Sequence, residues 1–332
     1  MTAQLVAFVL AAAISLGASW RLVVSLERVG ARIGLSEALL GLLAALAADA
    51  PEITSAVTAL VRHDPHVGAG VVIGSNVFNL AALLGLSAVV AGEIALHRRV
   101  LELGGAVAVW IAAAALLVVA GACSPLAGLL LVLAVLVPYV TVLALRDEQL
   151  ARIRLPAAWT SWLVAAISEE ELELEVAIHP RRGGVRDALA AAAAVAVVVA
   201  ASIEMEHGAT ALGTRWGVAS ILVGALVLAV VTSLPNAVAA VYLAMRGRGA
   251  AVLSTALNSN ALNILAGMLL PATILGAGSP SGQTTFIAAS LLAMTALALA
   301  LAYVGRGLRR SVGLAIITAY AVFVGVLIGA WR

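Results

Sequence analysis

Apolar stretches recur along almost the whole chain, and short polar breaks divide them. A membrane span needs about 20 apolar residues. On that rule the pattern predicts ten helical spans, at roughly 4–26, 36–61, 67–91, 100–121, 125–145, 187–205, 216–245, 250–276, 284–304 and 311–331. The breaks hold the charges and the turn formers: Glu27 to Gly34, Arg62 to His66, Glu93 to Arg99, Cys123 to Pro125, Glu204 to Arg215, Arg246 to Gly249, Gly276 to Gly282 and Arg306 to Arg310. One longer interruption, Arg146 to Arg186, separates two groups of five spans. The fold class expected is therefore an all-α integral membrane protein, with one unit at 1–146, a loop at 147–186 and a second unit at 187–332. Met1 to Leu26 lacks a basic leader and a cleavage site, and reads as a retained first span.

Orientation follows from arginine, because cytoplasmic loops carry the excess of basic residues. With the N-terminus outside, the inner loops hold every arginine except Arg62, Arg215 and Arg332, which fall outside, and Arg21, which lies within the first span. Both termini are thus expected outside, in a multi-pass protein of the cell's inner (plasma) membrane. The long loop is then cytoplasmic. Its run Glu169, Glu170, Glu171, Glu173, Glu175 reads as a solvated linker, and Trp159 and Trp162 beside Leu163 as an interfacial anchor.

Composition narrows the function classes. The 332 residues are 63% hydrophobic and 11% charged, against about 25% charged in soluble domains, so no soluble core could hide this sequence. The single cysteine, Cys123, excludes internal disulfides and a cysteine-rich metal site. There is no His-Glu-x-x-His helix for intramembrane metal hydrolysis. The chain has no lysine, so it has no phosphate-cradling Gly-Lys-Ser/Thr loop for ATP-driven pumping. Neither an enzyme nor a resident cofactor is expected. The partners expected are inorganic cations and the lipid bilayer, with no nucleic acid and a monomer as the oligomeric expectation.

The second span breaks the rules of the rest. Ala47-Ala48-Asp49-Ala50-Pro51-Glu52 places two carboxylates and a proline inside an apolar run from Leu39 to Val61. An ionised side chain at mid-bilayer costs at least about 2.5–3.5 kcal/mol, so such groups face a bundle interior or a wet cavity and mark an ion or proton site. Pro51 has no N–H and strains the turn before it. A helix broken there frees carbonyls beside the two acids, as suits a transporter site.

An internal repeat extends the site. Moved by 184 positions, Pro51 falls on Pro235, and Ser75, Asn76 and Asn79 fall on Ser259, Asn260 and Asn263. Each unit has an odd number of spans, so the second enters the membrane upside down, and the ligand site belongs near the midplane where the repeats meet. The first repeat supplies Asp49, Glu52, Ser75 and Asn79. The second supplies Thr232, Ser233, Asn236, Ser259 and Asn263. These are hard oxygen donors, suited to sodium, calcium, magnesium or a proton rather than copper or zinc. Asn76 and Asn260 are read either as further ligands or as hydrogen-bonding glue between helices, with glue favoured. Thr54 and Ser55 are read as packing residues.

These motifs resemble the cation/calcium antiporter superfamily, the sodium/calcium exchangers of prokaryotic type and their proton-coupled relatives. The likeness rests on Pro51-Glu52, on Gly74-Ser75-Asn76-Val77-Phe78-Asn79, and on their return after the loop. It implies two inverted five-span exchanger repeats, with long tilted first and sixth spans sliding over a core of spans two, three, seven and eight. It implies Glu52 as the central cation ligand, with Ser75, Asn79, Thr232, Ser233 and Ser259 around it. The sequence departs from the family where Asn236 and Asn263 replace acids, and where Ala47, Ala48 and Asp49 replace Gly-Thr-Ser. Both acids therefore sit on one repeat. Two close carboxylates can share protons as well as a metal, which favours a proton as one transported species. The function implied is secondary active cation antiport by alternating access, with calcium exchanged for sodium or protons. Sodium exchanged for protons, and a non-transporting sensor or a channel on the same fold, are the alternatives.

Overall fold

The computed structural model describes residues 2–35, 37–144, 161–163, 165 and 183–330. The acidic run 169–175, Trp159 and most of the long loop lie outside the described residues, and Trp162 falls in a helical turn at 161–163. Eleven helices carry the fold among the described residues: α1 (Thr2–Ile33), α2 (Glu37–Ala48), α3 (Ala50–Val61), α4 (Pro65–Ala91), α5 (Arg98–Val119), α6 (Pro125–Ala144), α7 (Val185–Arg215), α8 (Ser220–Met245), α9 (Gly249–Leu275), α10 (Gly282–Gly305) and α11 (Arg310–Ala330). Nine are long and apolar enough to span a membrane singly, and α2 with α3 makes a tenth span bent by 52° at Asp49. The bend falls where Pro51 removes a backbone donor.

Two of the predicted breaks are helical instead. α1 runs through Glu27 to Ile33, and α7 runs through Glu204 to Arg215, giving helices of 32 and 31 residues. At 1.5 Å per residue each is about 48 Å long, well beyond the roughly 30 Å hydrocarbon layer. Charge near a helix end therefore marks where the helix leaves the apolar layer and not where it stops. These two helices pack antiparallel. Arg28 pairs with Asp187 at 3.2 Å, Ser15 bonds Ser202 at 2.9 Å, and Phe8 lies against Gly208. The first span of each repeat thus runs opposite to its counterpart, as an inverted repeat requires.

α4 and α9 form the centre. In their apolar windows 89% and 83% of residues are buried, against 22% in α11. α4 meets α8 almost backbone to backbone. A methyl on Gly74 would lie 2.5 Å from the Ala225 Cα, and one on Gly224 would lie 2.5 Å from the Val67 carbonyl oxygen. Each central helix also widens into a π-helical stretch, Leu80–Leu86 in α4 and Asn263–Leu269 in α9, at matching places in the repeats. Such stretches concentrate at functional sites. Asn79 and Asn263 stand at the two points where the helix widens.

The loops sort onto two faces. On one, β1 (Glu93–Ala95) pairs antiparallel with β2 (Gly307–Arg309), and Gly249 packs on the Ala95 carbonyl. On the other, Arg62 pairs with Glu206, Gly121 packs on Pro280, and Gly278 on Pro65. This sorting matches the alternation of sides expected for ten spans. The two short strands were not foreseen, since the sequence shows only turns at both places.

Candidate cation site

Asp49 sits at the kink and Glu52 in the first turn of α3. Both carboxylates therefore lie at a helix N-terminus, whose unpaired N–H groups favour negative charge. Both side chains are fully buried. Pro51 has no N–H to offer the Ala47 carbonyl. That carbonyl accepts instead from the Ser19 hydroxyl of α1 at 3.0 Å, and the Ala48 carbonyl lies 3.3 Å from the same hydroxyl. Pro51 thus frees one carbonyl beside the acids, that of Ala47, and a residue of the opposing long helix covers it.

The second repeat meets the acids directly. Asn236 donates its amide N–H to Asp49 Oδ1 at 2.6 Å, and the Ser259 hydroxyl donates to the same oxygen at 2.5 Å. Ser233 donates to Glu52 Oε1 at 3.0 Å. Asn79 Nδ2 reaches Ser259 Oγ at 3.4 Å and Asn260 Oδ1 at 3.1 Å. Asn263 Nδ2 donates to Asn76 Oδ1 at 3.2 Å. The bend, α4, α8 and α9 therefore contribute to one buried network. Among the described residues neither acid forms an ion pair.

Ser75 and Thr232 are placed differently. Their hydroxyls donate to carbonyls of their own helices, Val72 at 2.9 Å and Leu228 at 2.9 Å. They make no hydrogen bond to either acid, though a hydroxyl that gives its proton to the backbone keeps its lone pairs for a cation. Asn76 and Asn260 bond each other's backbones, which supports the reading of that pair as glue.

Among the described residues, six buried side-chain atoms lack a partner: Asp49 Oδ2, Glu52 Oε2, Asn79 Oδ1, Asn263 Oδ1, Ser55 Oγ and Ser87 Oγ. Folded proteins leave few polar atoms in this condition, and each calls for an account. The first four belong to predicted ligands: two amide oxygens, which have lone pairs and no proton, and two carboxyl oxygens, which offer lone pairs when ionised. A hard cation supplies what such oxygens lack. Ser55, read from sequence as packing, is fully buried one turn beyond Glu52 with nothing on its hydroxyl, so packing alone does not account for it. Ser19 was missed altogether. Its only sequence signal is the four-residue spacing from Ser15, which puts two hydroxyls on one face of an apolar helix.

The model of the family described as sodium/calcium exchanger protein matches residues 3–174 and 187–329. The chain belongs to the sodium/calcium exchanger family. A search of curated protein sequences finds no significant match. Among solved structures, the H+/Ca2+ exchanger CAX is similar with a TM-score of 0.70 at 16% identity, covering 98% of this chain and 86% of that one. The structure of native YfkE gives 0.62 at 16%, covering 98% and 91%. The sodium-calcium exchanger NCX_Mj, soaked with 10 mM Na+ and zero Ca2+, gives 0.59 at 19%, covering 99% of each. At such identities these neighbours share the fold, and they share it over nearly the full length. The chain places both acids of the candidate site, Asp49 and Glu52, on the first repeat and faces them with an amide and hydroxyls of the second.

Proposed function

We propose that this chain is a secondary active cation antiporter, exchanging calcium for sodium or protons by alternating access. Asp49 and Glu52 bind the cation, and Ser233, Asn236, Ser259, Asn79 and Asn263 complete the oxygen shell, with Ser75 and Thr232 at its edge. One observation carries the reading: four buried oxygens without donors, on Asp49, Glu52, Asn79 and Asn263, in a network that joins both repeats. The family, and the two solved neighbours whose names describe calcium exchange, support the choice of a cation as cargo. The arginine asymmetry of the loops supports both termini outside in the inner membrane.

The amides at 236 and 263 favour one second reading, sodium exchanged for protons, because two acids can serve a site for small monovalent ions. Vesicles containing purified protein, with imposed calcium, sodium and proton gradients, decide between them. Calcium should accumulate only against an opposing sodium or proton gradient, and Glu52→Gln should abolish uptake. Wild-type uptake by Glu52→Gln would refute the site. Calcium flux without any counter-ion gradient would indicate a channel.

A further inference from the structure

We propose that Ser19 is a positioning residue that couples cation occupancy at Asp49 and Glu52 to the placement of α1. This inference rests on the cation-site reading above. Ser15, Arg28 and Arg32 of α1 bond to α7 or to the residues leading into it. Ser19 reaches the broken second span instead, at the carbonyls of Ala47 and Ala48. Those carbonyls lie two and one residues before Asp49. The first has no helical donor, because its donor would be Pro51.

The consequence is mechanical. A cation that draws in the two carboxylates moves the backbone at the kink, where helical hydrogen bonding is already incomplete. The Ala47 carbonyl moves with it, and the hydroxyl bonded to that carbonyl belongs to the long helix paired with α7. Ser19 is fully buried, so no solvent replaces its bond if the geometry changes. Occupancy at the acids is thereby felt by α1 through the Ser19 hydroxyl. Trp20, the next residue, faces outward at 61% exposure.

The test compares wild type with Ser19→Ala, Ser19→Thr, Ser15→Ala and Glu52→Gln. Radioactive calcium binding to the purified proteins is measured beside maximal uptake rate in vesicles. Ser19→Ala should bind calcium within about threefold of wild type, while its maximal rate falls about tenfold, as expected for loss of one buried hydrogen bond. Ser19→Thr keeps the hydroxyl and should recover most of the rate. Ser15→Ala loses a bond within the long-helix pair only, and should match wild type in both measurements. A wild-type rate in Ser19→Ala, or an equal fall in Ser15→Ala, overturns the coupling role. If Glu52→Gln loses binding while Ser19→Ala transports normally, only the coupling role fails. If Glu52→Gln binds like wild type, the cation site fails with it.

Discussion

Asn76 and Asn260 each donate a side-chain N–H to the other's backbone carbonyl, at 2.8 and 3.1 Å, from positions 184 residues apart. The contact is its own mirror: what the first repeat gives, the second returns, as a pseudo-twofold axis between them demands. The two amides also hold the site. Asn76 Oδ1 accepts from Asn263, and Asn260 Oδ1 accepts from Asn79, so each glue residue orients a candidate ligand asparagine of the opposite repeat.

Symmetry makes a quantitative expectation. Asn76→Ala and Asn260→Ala should each cost about 1–3 kcal/mol, because each removes a buried bond between the repeats and takes an acceptor from the side-chain amide of Asn263 or Asn79. The two losses should be similar in size, and each should weaken calcium binding by releasing Asn263 or Asn79. Chemical unfolding of the detergent-purified variants, with and without calcium, checks this. A large loss in one and none in the other would show that the pair is not equivalent.

Much of this was legible in the sequence for a physical reason. Proline and two acids inside an apolar run violate the rules of a span so strongly that they locate the kink, and the 184-residue offset locates the residues that face it. Chain periodicity says less about where a helix leaves the bilayer. Glu204 and Glu206 look like a break, yet Glu206 is buried against Arg62 and the helix continues past it. The pairing of β1 with β2 joins loops some two hundred residues apart, and three-residue strands carry no pattern of their own. Ser19 carries little signal in the sequence, because hydroxyls such as those of Ser15 and Ser19 are ordinary in an apolar helix. Only its partner, a carbonyl freed by a distant proline, gives it meaning.

Asn236 holds the place where the family's second acid would stand, and its amide donates to Asp49 Oδ1 at 2.6 Å. Asn236→Asp exchanges that donor for a third acceptor with charge. Without divalent cation the variant should be less stable than wild type by about 1–3 kcal/mol, since a favourable contact becomes a repulsive one. Excess calcium should then stabilise it more than it stabilises wild type. Tenfold tighter binding adds about 1.4 kcal/mol at a fixed excess of ligand. Thermal unfolding in chelator and in calcium measures both arms, and equal calcium stabilisation of the two proteins would place Asn236 outside the ion's reach.

Charge at the candidate site also sets the electrical character of the proposed transport. Among the described residues Asp49 and Glu52 are the only ionisable members of the network, and every other side chain in it is an amide or a hydroxyl. A buried dianion left uncompensated is costly, several kcal/mol per ion even after relaxation. Under the proposed antiport, each occluded state is therefore filled to neutrality, by one divalent cation or by two monovalent ones. Calcium moving one way against two sodium ions or two protons carries no net charge through the membrane. The expected outcome is uptake independent of membrane potential when the potential is clamped with a potassium gradient and valinomycin. An uncompensated charge would add about 2.3 kcal/mol per 100 mV. At about 1.4 kcal/mol per decade, that is a shift of roughly 50-fold in the calcium gradient reached at −100 mV. A shift of that size would mean that a further cation enters the site on one half of the cycle, held by neutral oxygens such as those of Asn79, Asn263 and Ser55.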